Sequence, residues 1–373
     1  MTLKKVLIFM FAAAFLSISL QSASFLAGVD NKIPVIHVKG SHYEVGYQIG
    51  TQMKTQLREL VQQSKEYIKN EKDKEWTDIR AQAQLFLEYS KKYVPEYVEE
   101  IRGASDAAGI DLLDLFSEMC EEIYAKNYLG GCSDLIAGND VTFDGSVYAA
   151  HNNDTSPGLE KYTVAVHYQV DGEPEILAVG YGGLGISIGF NSSGISLTGN
   201  ELSMNDMKLG VPRLLLCRKI LSANTIAEAI DASIFQPRAS NYNMVLADPN
   251  GEIYSIEGSA TDYEALYATE GFLVHTNHYV APRMLKYELD RQELTSSMVR
   301  YNRAFRLMKN NKGKISFELL KTFLSDHVSM PRSICRHGQY VKTTFSVIIN
   351  LTTQKMYLAR GNPCESEYYE YTF

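Results

Sequence analysis

The first third of the chain has the apolar periodicity of helices. Residues 53–61 place apolar side chains three and four positions apart, with polar and charged residues between them, as in an amphipathic helix. Ser41 stands before this region with Glu44 three positions later, which predicts a capping box. A β-branched run at 33–38 precedes them and predicts a strand. The pattern therefore predicts one strand and then a helix-rich segment to about residue 128.

After residue 132 the pattern changes to short apolar runs separated by turn residues such as Asp171-Gly172, which predicts an antiparallel meander. Helices that cover antiparallel sheets bury the apolar faces of both, so we expect a layered α+β architecture. The predicted strands are 135–137, 146–150, 162–170, 176–181, 185–190, 194–199, 242–247, 252–257, 271–274, 343–350, 355–359 and 368–373, and the helical regions are 211–234 and 296–326.

The N-terminus has the layout of a secretory signal. Lys4 and Lys5 precede an apolar run at 6–20 and a small-residue end at 22–24, which predicts a cleavable signal peptide over residues 1–24. A membrane anchor is the alternative, but the run is short of the roughly 20 apolar residues that span a bilayer. We therefore expect secretion or lysosomal delivery and no membrane span.

Charge and composition narrow the range of partners. The 373 residues carry a formal net charge of -8, and loss of the signal removes two lysines. Such acidity argues against nucleic acid as a partner. Asn191 and Asn350 begin glycosylation tripeptides, which are compatible with export.

Cysteine usage leaves one thiol over. Of the five cysteines, Cys120, Cys217, Cys335 and Cys364 could pair in an oxidising compartment, with no connectivity readable from the sequence. Cys132 follows Gly131, the residue type with the fewest backbone restrictions. A thiolate is a nucleophile, so the pair suits a peptide bond that is bent and attacked by its own cysteine. A tight turn is the alternative interpretation.

Three polar clusters stand at the ends of predicted strands, at 151–154, 275–278 and 333–337, where loop-borne sites are expected. His275, His278 and His337 could be zinc ligands, but no carboxylate pattern accompanies them. A papain-like pair of Cys132 with one histidine is a second possibility, although the flanking motifs of such proteases are absent. The remaining alternative is that these polar residues satisfy buried turns.

Taken together and in order, four of these segments resemble the penicillin acyltransferase family of cysteine N-terminal-nucleophile hydrolases. The segments are Gly131-Cys132, 152–154, 275–278 and 333–336. The resemblance covers nearly the whole mature chain, from 42–47 through 189–194 to 358–363.

The resemblance implies a four-layer αββα sandwich of antiparallel sheets between helices. It also implies self-cleavage before Cys132, which divides the chain into a helix-rich α-part at 25–131 and a β-part at 132–373. The new α-amine of Cys132 has an ordinary pKa of about 7.7–8.0 and can act as a base near neutral pH. No cofactor, metal or separate histidine is implied.

The resemblance also assigns site residues one by one. Cys132 is the nucleophile, and Asn277 matches the asparagine whose amide stabilises the oxyanion. Asp154 is expected to hold the α-amine or Cys132 by hydrogen bonds, and Arg336 to orient an acid or the substrate. Asp134 stands where the fungal member of this family has threonine, and its carboxylate could assist activation or repel anionic substrates.

Two further positions depart from the fungal pattern, with His151 in place of glutamine and Asn153 in place of tryptophan. We expect an amidohydrolase that cleaves the C–N bond of a small N-acyl amine through a Cys132 thioester. The alternatives are an acyltransferase that uses an amine acceptor and a non-catalytic exported binding protein of the same fold.

Overall fold

The computed structural model describes residues 31–71, 75–124, 130–289 and 294–373. Residues Ile33–Phe373 form one compact unit. None of the described helices is long and apolar enough to cross a membrane. The predicted signal peptide at 1–24 lies outside the described residues.

Helices fall into two groups along the described chain, one before Cys132 and one after it. Those of the first group are α1 (His42–Gln52), α2 (Lys54–Glu71), α3 (Trp76–Tyr93), α4 (Pro95–Ala108), α5 (Leu112–Ser117) and α6 (Glu121–Tyr124). Those of the second are α7 (Arg213–Leu221), α8 (Ile226–Ser233), α9 (Leu294–Asn310) and α10 (Phe317–Leu324).

The strands form two sheets. Sheet A has eight strands in the order β1-β4-β5-β6-β7-β8-β9-β10, and sheet B has six in the order β11-β2-β3-β12-β13-β14. The strands are β1 (Val35–Gly40), β2 (Gly131–Ala137), β3 (Tyr148–Thr155), β4 (Thr163–Val170), β5 (Ile176–Tyr181), β6 (Ile188–Asn191), β7 (Ser196–Asn200), β8 (Asn243–Ala247), β9 (Ile253–Gly258), β10 (Tyr263–Tyr267), β11 (Phe272–His275), β12 (Lys342–Asn350), β13 (Lys355–Arg360) and β14 (Tyr369–Tyr371).

The helices and sheets form four layers, with an apolar core between each layer and the next. One core joins α1–α5, α7 and α8 to the outer face of sheet A, for example Ile49 to Val166. A second lies between the sheets, where Leu177 of sheet A and Val347 of sheet B both take part. The third joins the outer face of sheet B to α9 and α10. The structure confirms the αββα sandwich, and each sheet is apolar on both faces because both faces are covered.

One strand pair departs from the predicted antiparallel arrangement. β1 pairs with β4 in parallel, with Val35 opposite Ala165, whereas the other ladders are antiparallel. The sequence placed a strand at 33–38 but gave no information about its direction. A segment from before Cys132 therefore forms the edge of a sheet made otherwise by the chain after it.

Helices α1 and α4 cross at very short range. A Cβ added to Gly46 would lie 1.9 Å from the backbone oxygen of Glu100, and one on Gly103 would lie 2.1 Å from that of Tyr43. The start of α1 carries the predicted capping box, in which Ser41 accepts from the Glu44 N–H and the Glu44 carboxylate accepts from the Ser41 N–H. The capping prediction is confirmed.

Two polar segments that we expected in turns or loops are strand residues. Residues 131–134 begin β2, and residues 151–154 lie inside β3. Their polar residues mask the strand pattern, because a carboxylate and an imidazole on adjacent strands replace the apolar residues that usually alternate there. These polar side chains are therefore held more rigidly than they would be in loops.

Neither predicted glycosylation acceptor is accessible in the folded chain. Asn191 is fully buried, and its Nδ2 donates to the backbone oxygens of Leu221 and Ala223 at 2.8 and 2.7 Å. Asn350 is 7% exposed and accepts from the Thr353 N–H at 3.0 Å. The geometry therefore speaks against glycosylation at both positions. The five cysteines, all in described residues, are free thiols.

Candidate active site

Four adjacent strands of sheet B bring the predicted site residues together. Cys132 is the second residue of β2, and Asp154 lies on the neighbouring β3. Asn277 follows β11, on the other side of β2, and Arg336 precedes β12, on the far side of β3. Segments more than 100 residues apart therefore meet because their strands are neighbours in the order β11-β2-β3-β12.

Cys132 points into the space between the two sheets. Four positions further along β2, Ile136 belongs to the core between the sheets, whereas Leu135 belongs to the core under α9 and α10. Side chains alternate along a strand, so Cys132 and Ile136 share a face. The thiol lies 3.9 Å from Oδ1 of Asn153, its partner residue on β3. The predicted nucleophile therefore faces the interior of the sandwich and is partly exposed there.

Asn277 holds the backbone of Cys132. Its Oδ1 accepts from the Cys132 N–H at 2.8 Å and from the Arg300 guanidinium at 2.8 Å. Both partners are donors only, so the oxygen of this amide must face them. Nδ2 donates to the Glu201 carbonyl at 3.2 Å. The oxyanion role of Asn277 stays a prediction, since here its acceptor end contacts Cys132.

Asp154 and Arg336 flank the Gly131–Cys132 peptide on the helix side of sheet B. A Cβ on Gly131 would lie 2.8 Å from Arg336 Nη1 and 3.4 Å from Asp154 Oδ2. Thr343 connects the two, because its hydroxyl donates to Asp154 at 2.7 Å and accepts from the Arg336 N–H at 3.0 Å. These residues surround the predicted scissile bond rather than the thiol.

The electrostatics of Asp154 reflect this enclosure. Complete burial raises the pKa of Asp154, and the charges of Arg336 and Arg300 and the hydrogen bond from Thr343 oppose that rise. Two guanidinium groups therefore compensate one buried carboxylate beside Gly131.

Arg300 is a site residue that the sequence did not reveal. It lies on α9, is 1% exposed, and its guanidinium donates to the Cys132 carbonyl, to Ser133 Oγ at 3.0 Å and to Asn277. An arginine in an amphipathic helical stretch is usually assigned to its solvated face. One sequence feature could have indicated a buried polar face on this helix. Ser296 and Ser297, two small polar residues shortly before Arg300, are also buried.

Asp134 forms a buried ion pair with His151. The two stand opposite each other on β2 and β3, both fully buried, and Nδ1 of His151 lies 2.8 Å from Asp134 Oδ1. Nε2 is also buried and makes no normal hydrogen bond to a described residue. Asp134 and His151, two of the three positions that depart from the fungal pattern, therefore form one ion pair.

The protonation of His151 is coupled to Cys132. Burial alone would lower the pKa of His151, but the charge and hydrogen bond of Asp134, together with the nearby Cys132 thiol, raise it to about 10. His151 is therefore an imidazolium at neutral pH, next to the nucleophile. The sequence prediction considered other histidines as partners of Cys132 and missed this one.

The thiol opens onto a large cavity between sheets A and B. The cavity has a volume of about 890 Å³, and Gly131, Cys132 and Asn153 form part of its wall. This volume falls in the range of sites for small molecules. The walls are mostly apolar and aromatic, with contributions from residues on both sides of Cys132: Leu57, Leu60, Tyr67, Leu115, Met119, Val179, Tyr181, Leu184, Ile188, Leu214, Tyr242, Met244 and Phe345.

Charged groups of the cavity largely compensate each other. Arg213 pairs with Glu121, with Nε and carboxylate 2.8 Å apart. Burial raises the pKa of Glu118 to about 8 despite a hydrogen bond from Ser64. Glu118 is therefore mostly neutral at pH 7, and the cavity suits a substrate with a substantial apolar part.

A cysteine that follows a glycine at the start of an inner strand and faces a cavity in an αββα sandwich is the arrangement expected of N-terminal-nucleophile hydrolases. The family model for acyl-coenzyme A:6-aminopenicillanic acid acyl-transferase matches residues 141–365, more than half of the chain. The chain therefore belongs to this family, as the motifs indicated, and is an enzyme that acts on amide carbon–nitrogen bonds by hydrolysis or acyl transfer.

Curated relatives span much of the chain at low identity. The 40 kDa form of acyl-coenzyme A:6-aminopenicillanic-acid-acyltransferase from Emericella nidulans is 22% identical over 88% of this chain and 93% of its own length. The β-alanyl-dopamine/carcinine hydrolase of Drosophila melanogaster is 25% identical over 60% of this chain and 64% of its own length.

Solved structures align over about two thirds of the chain. A conjugated bile acid hydrolase from Clostridium perfringens covers 65% of this chain and 97% of its own, with a TM-score of 0.42 and 14% identity. Penicillin V acylase from Agrobacterium tumefaciens covers 61% and 83%, with a TM-score of 0.38 and 11% identity.

Proposed function

We propose that this chain is an exported, self-processed amidohydrolase that cleaves small N-acyl amines through a Cys132 thioester. The observation that carries the proposal is the placement of the Gly131–Cys132 peptide. The Cys132 thiol faces the cavity, and the Cys132 N–H donates to Asn277. Gly131, on the carbonyl side of the bond, lies beside Arg336 and Asp154.

Self-cleavage is the first step. The Cys132 thiolate attacks the Gly131 carbonyl carbon, the C–N bond breaks, and the amine leaves with a proton, which produces a thioester and a free α-amine. Water then hydrolyses the thioester to a Gly131 carboxylate and the Cys132 thiol. Gly131 is suited to this step because a Cβ there would crowd Arg336 and Asp154.

The precursor must protonate its leaving amine before the new α-amine exists. We infer that the His151 imidazolium supplies this proton, because it is buried beside Cys132 and its Asp134 partner favours the charged form. A neighbouring cation favours the thiolate, so Cys132 attacks as the thiolate of an ion pair with His151. His151 then gives its proton to the leaving amine, and hydrolysis of the thioester to carboxylate and thiol releases one proton, which returns to His151 and balances the cleavage.

In the cut enzyme, the α-amine can take over as base for the thiol of its own residue. The proposed cycle begins when Cys132 attacks the acyl carbon of the substrate and the amine product leaves. Asn277 then has two roles: its Oδ1 positions the α-amine, and its Nδ2, which carries two hydrogens, donates to the oxyanion. Loss of one oxyanion donor typically costs about 10²–10³ in rate.

The cavity supports small N-acyl amines as the substrate class. Its volume fits a drug-sized molecule, and its largely apolar and aromatic walls suit an acyl chain or an aromatic amine. The relative from Drosophila is named for hydrolysis of β-alanyl-dopamine and carcinine. A panel of β-alanyl amines, N-acyl ethanolamines, ceramides and penicillins, followed by amine release, would identify the acyl and amine groups.

Acyl transfer is a second candidate, because the family and the Emericella relative are named for it. Both reactions share the thioester and differ in whether water or an amine receives the acyl group. Addition of a competing amine to the assay distinguishes them. A transferase forms the new amide in preference to the free acid.

A Cys132→Ala variant tests the proposal directly. Wild-type protein should run as two fragments on a denaturing gel, with Cys132 as the new N-terminus, and the variant should remain one chain and release no amine. Cys120→Ser is the matched control, because Cys120 is buried away from the cavity and should leave cleavage intact. Wild-type protein that stays uncut yet hydrolyses amides would contradict the mechanism, and uncut, inert protein would favour the binding-protein alternative.

A further inference from the structure

A cluster of two cysteines and two histidines lies outside the cavity wall. His327, Cys335 and His337 belong to the segment between α10 and β12, and Cys364 belongs to the segment between β13 and β14. One potential ligand atom from each of the four lies within 4.8 Å of all the others.

The contacts of this cluster exceed what hydrogen bonds can explain. Nε2 of His337 lies 3.2 Å from His327 Nε2, 3.4 Å from Cys335 Sγ and 3.2 Å from Cys364 Sγ. A single ring nitrogen has one hydrogen or one lone pair in the ring plane, so it cannot bond to all three. Atoms that converge in this way are typical of ligands around a common ion.

The separations match the edges of a zinc tetrahedron. With Zn–S of about 2.3 Å and Zn–N of about 2.0–2.1 Å, tetrahedral ligands lie about 3.8 Å apart for two sulfurs, about 3.5 Å for sulfur and nitrogen and about 3.3 Å for two nitrogens. The observed Sγ–Sγ separation is 3.6 Å, the sulfur–nitrogen separations are 3.2 and 3.4 Å, and the nitrogen–nitrogen separation is 3.2 Å.

We propose that His327, Cys335, His337 and Cys364 bind one Zn²⁺ in a closed Cys₂His₂ site. Two thiolates neutralise the ion, and the two imidazoles bind through Nε2. Neighbouring groups support these ligands in the way that metal sites require. Asn362 Nδ2 donates to Cys335 Sγ at 3.5 Å, and Glu365 lies 3.9 Å from Nδ1 of His337.

A disulfide between Cys335 and Cys364 is the competing arrangement. It would require the sulfurs to approach to about 2.05 Å, compared with the 3.6 Å observed, and it would leave the two histidines unexplained. The sequence does not reveal this cluster, because its cysteines are 29 residues apart and follow no familiar ligand spacing. From the sequence, His337 was a candidate zinc ligand only together with His275 and His278.

The position of the cluster indicates a structural role. Its four residues are absent from the cavity wall, and four protein ligands leave no position for substrate. Arg336 stands between two of the ligands. Asn362 links the cluster to Arg336, because its Nδ2 donates both to Cys335 Sγ and to the Arg336 carbonyl, the latter at 2.6 Å. The ion would thus fix the segment that presents Arg336 to Gly131 and Asp154.

Metal analysis of the full-length protein tests the site. The protein should be purified without a histidine tag and in a non-chelating buffer, and elemental analysis should find about one zinc per chain, as a four-ligand site holds one ion. Cys364→Ser and His327→Ala remove exposed ligands, so both variants should fold and lose the zinc. Glu365→Gln changes a non-ligand neighbour and should keep it.

Cobalt and thiol measurements separate the alternatives. Protein stripped of metal and titrated with Co²⁺ should gain the absorption of a tetrahedral cobalt–thiolate complex, and Cys364→Ser should not. Metal-free protein with two thiols fewer than its five cysteines would show a disulfide and overturn the proposal. So would metal-free protein with all thiols free that fails to bind Co²⁺. These readouts do not depend on self-cleavage or amidase activity.

Discussion

At the scale of single residues, the backbone of Cys132 is held more firmly than its thiol. Asn277 accepts from its N–H and Arg300 donates to its carbonyl, whereas the thiol has a long contact of 3.9 Å with Asn153 and lies near His151. A fixed peptide with a less constrained side chain suits the proposed role of Cys132, in which the thiol attacks first the carbonyl of Gly131 and later a substrate. The residue whose charge then controls the thiol is His151.

We predict that the His151–Asp134 pair stabilises the fold most strongly at low pH. The pKa of His151 is raised in the folded protein, to about 10 from an ordinary 6.5, so its contribution is fully present below pH 6.5 and is lost as the pH rises through about 10. When folding binds one extra proton, the free energy of unfolding changes with pH at a slope of about 1.4 kcal/mol per pH unit. Urea unfolding of Cys132→Ala protein across this range, with and without Asp134→Asn/His151→Gln added, measures the difference. In this background the loss should begin at a lower pH, because the contribution of the Cys132 thiol to the raised pKa of His151 is absent.

The same substitutions separate a chemical role from a structural one. His151→Gln alone leaves a buried carboxylate without its cation and should cost about 3–5 kcal/mol. The double variant removes both charges and should recover much of that stability. Self-cleavage should nevertheless stay slower by about 10²–10⁴, the usual contribution of a positioned acid–base group. A double variant that cleaves at the wild-type rate would show that the pair is purely structural.

At the scale of elements, the site depends on neighbouring strands and on one close helix crossing. β2 and β3 carry Cys132, Asp134 and His151 on one face and Asp154 on the other. One face of this strand pair thus lies toward the cavity, and the other carries Asp154 beside the predicted scissile peptide. On the outside of sheet A, α1 reaches α4 only because glycines stand where they cross.

We predict that Gly46→Ala destabilises the protein by about 1–3 kcal/mol or more. Alanine gains up to about 1 kcal/mol of helix propensity over glycine, but its Cβ would lie 1.9 Å from the Glu100 backbone oxygen, and overpacking costs about 1–3 kcal/mol. The clash should win because a backbone oxygen cannot move aside without separating α1 from α4. The urea midpoint of unfolding measures the effect.

Gly313→Ala is the matched control for this substitution. Nothing lies within 4 Å of a Cβ at Gly313, whose φ is 75°, so only the left-handed backbone cost of about 1–2 kcal/mol applies. A Gly46→Ala protein that is more stable than the Gly313→Ala protein would contradict the close crossing.

At the scale of the whole molecule, the segments on either side of Gly131–Cys132 share one fold. Ile49 and Phe86 come from before the bond, and Val166 and Leu216 from after it, yet all four belong to the same core. β1 also pairs with β4 across this divide. The cavity walls likewise draw on both segments.

We therefore predict that the two fragments stay associated after cleavage. In native size-exclusion chromatography, cut protein should elute with uncut Cys132→Ala protein, and the fragments should separate only in denaturant. Hydrophobic cores of this kind are removed from water only while both segments are present. Release of the N-terminal fragment under native conditions would show that the shared core does not hold the parts together.

The sequence by itself determined the family, the layered α+β class and the capping box, and it singled out Cys132, Asp154, Asn277 and Arg336 as candidate site residues, because these rest on local periodicity and on motifs that are contiguous in the chain. It could not show that residues 131–134 and 151–154 are strands. Nor could it show that His151 pairs with Asp134 or that Arg300 contacts Cys132.

Only the tertiary structure decided those pairings, and it alone gathered His327, Cys335, His337 and Cys364 into one cluster. The physical reason is that a buried charge or a metal ligand is defined by its neighbours in space. The order of strands in sheet B and the packing of α9 on it set those neighbours, and neither leaves a periodic signal in the chain. The sequence thus pointed to Cys132 as the candidate nucleophile, and the fold specified the charges that surround it.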